Sequence, residues 1–156
     1  MKSEIREKLR LAGIGLLIAV ALFAAYAPAI GYDFVLLDDG PYVQHNPTVS
    51  GGFSWPAVKS AWTEARESYW APLLWMSFML DVECFGLDPH GFHLVNVALF
   101  ALNAGLLFAL FRRWTGRTGV AVAATLLWAL HPARVESVAW VVERKDVLSG
   151  LFFLLG

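Results

Sequence analysis

The apolar residues of this chain are concentrated in long runs that contain almost no charge. The run at 11–31 has none, and the run at 92–112 has only Arg112, at its last position. In a helix that rises about 1.5 Å per residue, each run covers the roughly 30 Å hydrocarbon core of a bilayer. A third run at 116–132 is short for a span, and a fourth at 147–156 is still apolar at its last residue. The pattern predicts an all-α, polytopic membrane fold with three spans and a truncated fourth, and we expect the chain to be a fragment of a longer protein.

The loop at 32–91, between the first two runs, is expected to carry helices that lie at the membrane surface. Ser54, followed by Pro56, is typical of a helix start, and this helix is predicted to reach roughly Glu67. The stretch at 72–80 is apolar but too short to span, which favours a helix that lies at the interface or re-enters it. The loop is therefore predicted to be folded.

The composition supports the membrane class and excludes others. The chain is 58% hydrophobic and 16% charged, whereas soluble domains are about 45–50% apolar and about 25% charged. A net charge of −1 gives no reason to expect nucleic-acid binding. The single cysteine, Cys84, supplies neither an internal disulfide nor a cysteine cluster for a metal. The lipid bilayer is therefore the expected partner.

The distribution of charge predicts the orientation in the membrane. Basic residues flank the first two runs on one side: Lys2, Arg6, Lys8, Arg10, Arg112, Arg113 and Arg117. The loop at 32–91 is acidic and has only Lys59 and Arg66 as bases. The positive-inside rule then places the N-terminus in the cytoplasm and the loop outside. Three spans put the segment at 133–146 on the same outer side, where the two charged regions can meet.

Two adjacent acids, Asp38 and Asp39, follow the first run. Ionised neighbours repel each other, so near a membrane surface they need a partner or a purpose. The functional interpretation is a general base, a divalent-metal ligand, or both. The alternative is a turn, because Asp-Asp-Gly-Pro is good turn chemistry, and composition alone favours the turn.

The segment at 133–146 is the second candidate region. If it is one helix, Glu136 and Glu143 share a face with Trp140 between them. The alternative is a solvated connecting helix whose charges pair locally.

Two basic residues of the segment at 133–146 and three polar residues of the apolar run at 92–112 are the remaining candidates for binding or structural roles. Arg144 and Lys145 are suited to a phosphate, Arg as a fork and Lys as a point charge. His93, Asn96 and Asn103 are expected to form helix–helix hydrogen bonds or caps rather than a ligand site.

Several strings of the sequence, taken in order, resemble one family. They are Leu37-Asp38-Asp39-Gly-Pro-Tyr42-Val43, Tyr69-Trp70-Ala-Pro72-Leu73, Met79-Leu80-Asp81, Phe85-Gly86-Leu87-Asp88-Pro89, Gly91-Phe-His93-Leu94-Val-Asn96, His131-Pro132-Ala-Arg-Val135-Glu136-Ser137-Val138-Ala139-Trp140 and Glu143-Arg144-Lys145-Asp146. Together they resemble the N-terminal membrane region of bacterial tetratricopeptide-repeat (TPR) membrane proteins. Those proteins are similar to the transmembrane-and-TPR O-mannosyltransferases and belong to the GT-C glycosyltransferase type. The resemblance covers the chain from about Phe34 onward.

This resemblance implies an integral-membrane glycosyltransferase of the bacterial cytoplasmic membrane. Such an enzyme moves a sugar from a polyprenyl-phosphate donor to an acceptor hydroxyl, for example of a protein, on the outer face. Asp38 and Asp39 occupy the place of the family's catalytic acidic pair, which in some members works with a divalent cation. The substrate-binding candidates are Glu136, Arg144, Lys145 and Asp146. Because Arg144 and Lys145 are positively charged and lie at the depth of the membrane surface, we expect them to bind the lipid phosphate.

The later membrane helices and the TPR array of that family are absent from residues 1–156. We therefore expect this part of the chain to be inactive alone. The alternative function is a non-catalytic membrane anchor or assembly platform for a TPR domain.

Overall fold

The computed structural model describes residues 2–65 and 69–156. Within them the chain is helical and contains no β-strand, so the all-α prediction is confirmed. The helices are α1 (Lys2–Tyr26), α2 (Trp55–Thr63), α3 (Pro72–Phe85), α4 (Pro89–Thr115), α5 (Thr118–Ala129), α6 (Arg134–Ala139) and α7 (Arg144–Leu155). A 3-10 turn at Ala27–Gly31 extends α1, and a π turn lies at Gly40–Gln44.

Two helical segments in the described part of the chain are long and apolar enough to cross a membrane. They are residues 2–31, with 30 residues, and α4, with 27, and each contains an 18-residue stretch with a mean hydropathy of 2.2. The helix α5 is apolar but has only 12 residues, which is about 18 Å of helix. Membrane crossings by other segments, and the orientation of the chain in the membrane, stay predictions.

The long helix α4 is the centre of the fold, because α1, α5, α6 and α7 all pack on it. A cluster of buried side chains joins α1 to α4, including Ile18, Leu22, Phe100 and Phe108. The helices approach closely at Gly15, where an added Cβ would lie 3.3 Å from the Phe108 ring. Small residues that allow such close contact are typical of packing between membrane helices.

The loop at 32–91 is folded against the N-terminal part of α4. A second cluster of buried residues joins the loop, including its helix α3, to α4 and to Val141. Its members are Val43, Val49, Ala61, Leu74, Trp75, Phe78, Met79, Phe92 and Val141. Ser54 caps α2 by accepting a hydrogen bond from the Ala57 N–H at 3.3 Å, so the predicted helix start is confirmed. The helix ends at Thr63, earlier than predicted, and Glu67 lies outside the described residues.

The segment at 133–146 is not one helix, and this prediction is wrong. The helix α6 ends at Ala139, Trp140 is extended (φ −100°, ψ 124°), and α7 begins at Arg144. At the break, the carbonyl oxygens of Trp140 and Val141 accept short-range bonds from the Glu143 N–H (3.2 Å) and the Arg144 N–H (3.1 Å). The Asn96 amide of α4 also donates to these two oxygens, at 3.1 Å and 3.4 Å, and so ties the break to α4. We call residues 140–143 the interhelical turn.

Candidate functional site

Asp39 is fully buried at the start of the π turn. Its Oδ2 accepts a hydrogen bond from the Val35 N–H at 2.7 Å, and the Asp38 carbonyl accepts one from the Tyr42 N–H at 2.9 Å. The acidic pair is therefore part of a turn, as its composition indicates. Among the described residues, the Asp39 Oδ1 has no hydrogen-bond partner. A buried carboxylate oxygen without a donor is rare in proteins and calls for an explanation.

The interhelical turn faces Asp39. The Val142 N–H and the Trp140 indole stabilise its charged form, although neither makes a hydrogen bond of regular geometry to Oδ1. Burial raises the pKa of Asp39 above its ordinary value; the donors around it, Val35 included, oppose this shift, and the adjacent Asp38 adds to it. A raised pKa makes a carboxylate a stronger proton acceptor, so Asp39 has the properties of a general base.

The acidic pair does not amount to a metal centre. No three His, Cys, Asp or Glu side chains come together anywhere in the described ranges. Asp38 and Asp39 supply two neighbouring carboxylates, and one oxygen of Asp39 is already engaged by Val35. Hard cations such as Mg²⁺ and Ca²⁺ take six or more oxygen ligands. These residues alone do not fit a resident cation.

Arg144 is fully buried where α3, α4 and α7 meet. Its Nη1 lies 2.5 Å from the Asp81 carboxylate, its Nε donates to the Asn96 Oδ1 at 2.6 Å, and its Nη2 donates to the Phe92 carbonyl at 2.8 Å. The guanidinium also lies 4.7 Å from the centre of the Phe78 ring. The planar fork of an arginine suits such a set of acceptors, and a lysine could not satisfy all of them.

This environment bears on the phosphate role predicted for Arg144. Burial raises the pKa of Asp81 to about 6, although the neighbouring Arg144 lowers it, so Asp81 is ionised at pH 7 and the pair is charged. A lipid phosphate could reach the guanidinium only by displacing Asp81, Asn96 or the Phe92 carbonyl. Phosphate binding by Arg144 stays a prediction that this geometry opposes.

The other predicted binding residues lie on or near the first turn of α7. Lys145 is half-buried and its Nζ pairs with Glu143 Oε1 at 2.7 Å. Asp146 is exposed, and its Oδ2 accepts a hydrogen bond from the Ser137 hydroxyl at 3.1 Å. Glu136 is exposed on α6. Lys145 is thus the basic candidate that remains near the surface.

Lys145 borders a groove of about 310 Å³ that we call the aromatic groove; its walls include Trp62, Tyr69, Trp70, Leu148 and Phe152. Two of these rings, Trp62 and Trp70, pack edge to face at 6.0 Å. The groove therefore combines an apolar, aromatic surface with one positive charge.

Two residues of the site, Asp81 and Trp140, are not predicted from the sequence as site residues. Asp81 and Trp140 belong to the strings of the resemblance, but neither was given a role. An acid at the end of an apolar run, such as Asp81, is a signal in itself, because it needs a partner. The prediction of helix–helix hydrogen bonds is confirmed for Asn96, and for Asn103, which donates to the Val147 carbonyl at 2.7 Å.

His93 makes neither of the predicted contacts. It is buried against Tyr32, with ring centroids 6.1 Å apart, and neither ring nitrogen makes a regular hydrogen bond within the described part of the chain.

Comparison with known proteins relates the chain to eukaryotic proteins named protein O-mannosyl-transferases. It is 36% identical over 138 residues to protein O-mannosyl-transferase tmtc2 of Xenopus laevis, a match that covers 83% of this chain and 16% of that protein. It is 32% identical over 158 residues to protein O-mannosyl-transferase TMTC1 of Mus musculus, covering 92% of this chain and 16% of the relative. A shorter match, 42% over 87 residues, relates it to protein O-mannosyl-transferase Tmtc1 of Drosophila melanogaster and covers 55% of this chain and 10% of the relative.

The chain therefore has homologues among proteins named protein O-mannosyl-transferases and spans about one sixth of the length of the first two. No protein-family model matches the chain. No solved structure matches it either.

Proposed function

We propose that this chain is the N-terminal part of a GT-C-type integral-membrane glycosyltransferase related to the O-mannosyltransferases. Its donor would be a polyprenyl-phosphate sugar, its acceptor a hydroxyl group such as that of a protein side chain, and its reaction side the one that carries the loop at 32–91. One observation carries the proposal: Asp39 is buried beside the interhelical turn with a raised pKa and an oxygen that lacks a donor. The homology to proteins named O-mannosyl-transferases supports the reaction class.

In the proposed reaction, Asp39 accepts the proton of the acceptor hydroxyl. The hydroxyl oxygen forms a bond to the anomeric carbon of the sugar, and the bond from that carbon to the phosphate oxygen breaks. The polyprenyl phosphate leaves with the bonding electrons, and a positive charge next to the phosphate stabilises it. Lys145 is the candidate for that charge, since it lies at the aromatic groove, whose apolar walls suit an isoprenoid chain.

The alternative, a non-catalytic membrane anchor or platform for a TPR domain, is favoured by one observation. Asp39 has no exposed surface in this structure. Its Oδ1 reaches an acceptor only if the interhelical turn or the loop moves. In an anchor, the carboxylate would serve folding, through its hydrogen bond to Val35.

The deciding experiment replaces Asp39 in the full-length protein. We expect Asp39→Asn to reduce mannose transfer from polyprenyl-phosphate mannose to a Ser/Thr-containing peptide about a hundredfold or more, the usual contribution of a general base. Expression and thermal unfolding should be unchanged, since Asn keeps the acceptor for Val35. Asp33→Asn, an exposed acid of the same loop, is the matched control and should retain activity. Full activity of Asp39→Asn would overturn the catalytic role, and loss of the folded protein would favour the anchor.

A further inference from the structure

A continuous chain of polar contacts runs through the protein from α3 to the interhelical turn. Asp81 pairs with Arg144 at 2.5 Å, and Arg144 donates to the Asn96 Oδ1 at 2.6 Å. The amide nitrogen of Asn96 then donates to the carbonyl oxygens of Trp140 and Val141. All three charged or amide side chains are buried, at 4% exposure or less, so water does not compete for these bonds.

The far side of the same turn meets Asp39. The Trp140 and Val141 carbonyls bind Asn96. Val141 belongs to the same buried cluster as Val43 of the π turn that Asp39 begins. The Trp140 indole and the Val142 N–H lie close enough to Asp39 to stabilise its charged form, without a regular hydrogen bond to Oδ1. One side of the turn is thus hydrogen-bonded to α4, and its other side lies against the Asp39 carboxylate.

We propose that Asn96 and Arg144 are positioning residues, which hold the interhelical turn in the conformation that presents Trp140 and Val142 to Asp39. This inference rests on the proposed catalytic role of Asp39. It assigns Arg144 a role different from phosphate binding, and it gives Asn96 a function beyond the cohesion of two helices.

The physical reason lies in the irregular backbone of the turn. Residues 140–143 are not part of a helix and have only short-range backbone bonds, from the Glu143 N–H to the Trp140 carbonyl (3.2 Å) and from the Arg144 N–H to the Val141 carbonyl (3.1 Å). The side chains around them therefore contribute to fixing their conformation. Arg144 fixes the orientation of the Asn96 amide. The guanidinium donates to the amide oxygen, and the amide nitrogen therefore faces the two carbonyl oxygens of the turn. Asp81 in turn neutralises the buried guanidinium.

The chain offers a matched control in Asn103. It lies on the same helix seven residues after Asn96 and is also buried, and it too donates a hydrogen bond to a backbone carbonyl, that of Val147. Replacement of either asparagine by alanine removes a hydrogen bond between α4 and the region of α7, but only Asn96→Ala releases the interhelical turn.

Two measurements on the full-length protein test the proposal. The first is transfer of mannose from polyprenyl-phosphate mannose to a Ser/Thr-containing peptide. We expect kcat of Asn96→Ala to fall about tenfold or more, with KM for the donor within about twofold, because a small misplacement of reacting groups is costly. Asn103→Ala should keep kcat even where its thermal unfolding shifts as much as that of Asn96→Ala.

The second measurement does not depend on activity. Dicyclohexylcarbodiimide, an apolar reagent for carboxyl groups, is applied at pH 7 and modification of Asp39 is quantified by mass spectrometry. Modification should increase several-fold in Asn96→Ala and stay unchanged in Asn103→Ala. If no variant and no wild-type protein transfers mannose, the proposed function fails, while this labelling still tests the positioning role.

Arg144→Lys is the second variant if Asn96→Ala does not fold. It keeps a positive charge opposite Asp81 but cannot reach Asn96 and the Phe92 carbonyl together, so it should also lower kcat and increase labelling of Asp39. Equal kcat and equal labelling in folded Asn96→Ala and Asn103→Ala would overturn the proposal, as would wild-type values in Arg144→Lys.

Discussion

Asp81 of α3 and Arg144 of α7 form an ion pair, 2.5 Å between Oδ2 and Nη1, from which water is excluded. The side chain of Arg144 is 0% exposed and that of Asp81 5%. Removal of one member leaves an uncompensated charge in the protein interior, which is costly, whereas replacement of both by apolar residues is often tolerated. The pair therefore links the loop region to α7 and makes the fold sensitive to either residue alone.

We predict that Asp81→Leu alone lowers the free energy of unfolding by about 3–5 kcal/mol, the usual cost of a broken buried ion pair. Asp81→Leu combined with Arg144→Met should recover most of that loss. Thermal unfolding of the detergent-solubilised protein measures both. The exposed pair of Glu4 and Lys8 is the control, and Glu4→Gln should change stability little. A double variant no more stable than the single one would contradict the prediction.

The pH dependence of transfer should reflect the raised pKa of Asp39. A general base works in its deprotonated form, so activity falls as the pH is lowered through that pKa, which burial raises above the ordinary value of an aspartate. Asp38→Asn removes a neighbouring negative charge that contributes to the shift. We expect the acidic limb of the kcat/KM profile to move to lower pH in this variant. An acidic limb that stays in place would show that Asp38 does not act on the catalytic group.

Lys145 should affect binding of the donor rather than of the acceptor. Lys145→Gln removes the positive charge at the aromatic groove and is expected to raise KM for polyprenyl-phosphate mannose about tenfold, with KM for the peptide unchanged. Lys59→Gln, an exposed lysine on α2, is the control and should leave both constants as they are. Equal changes in the two KM values would argue against a donor site at the groove.

On α1, the contact with α4 should depend on glycine at position 15 and not at position 13. A Cβ at Gly15 would lie 3.3 Å from Phe108, whereas nothing lies within 4 Å of one at Gly13. We expect Gly15→Leu to lower the free energy of unfolding by about 1–3 kcal/mol through overpacking, and Gly13→Leu to be neutral or slightly stabilising. Thermal unfolding of the two variants decides; equal effects would contradict the close approach of the helices.

The sequence predicted the parts of this protein that depend on local pattern. A long run without charge indicates a helix because its residues belong in the apolar interior of a bilayer or a protein. Ser54 marks a helix start because its hydroxyl oxygen accepts a hydrogen bond from a free backbone N–H three residues on. The Asp-Asp-Gly-Pro string predicted a turn on the same grounds. Asn96 and Asn103 were expected to bond between helices because an amide in an apolar helix needs a partner.

The site itself depends on contacts between distant segments, and only the tertiary structure decided these. The turn at Trp140 is bonded to an amide 44 residues away, and the guanidinium of Arg144 is held by partners 48 and 52 residues away. Local pattern favours one helix over 133–146, since nothing in it shows that Asn96 and Arg144 bind each other across the break. Burial of Asp39 likewise needs the interhelical turn to cover it.

The sequence by itself thus determined that the chain is helical and apolar and that it is similar to proteins named protein O-mannosyl-transferases, because periodicity, charge-free length and short strings are properties of neighbouring residues. The tertiary structure decided which charges are enclosed and which lie near the surface. Arg144 and Lys145 are adjacent and of one sign, yet Arg144 is enclosed by Asp81 and Asn96, whereas Lys145 pairs with Glu143 and borders a groove. The reason is helical geometry, which turns successive side chains about 100° apart and so sends neighbours to different surroundings.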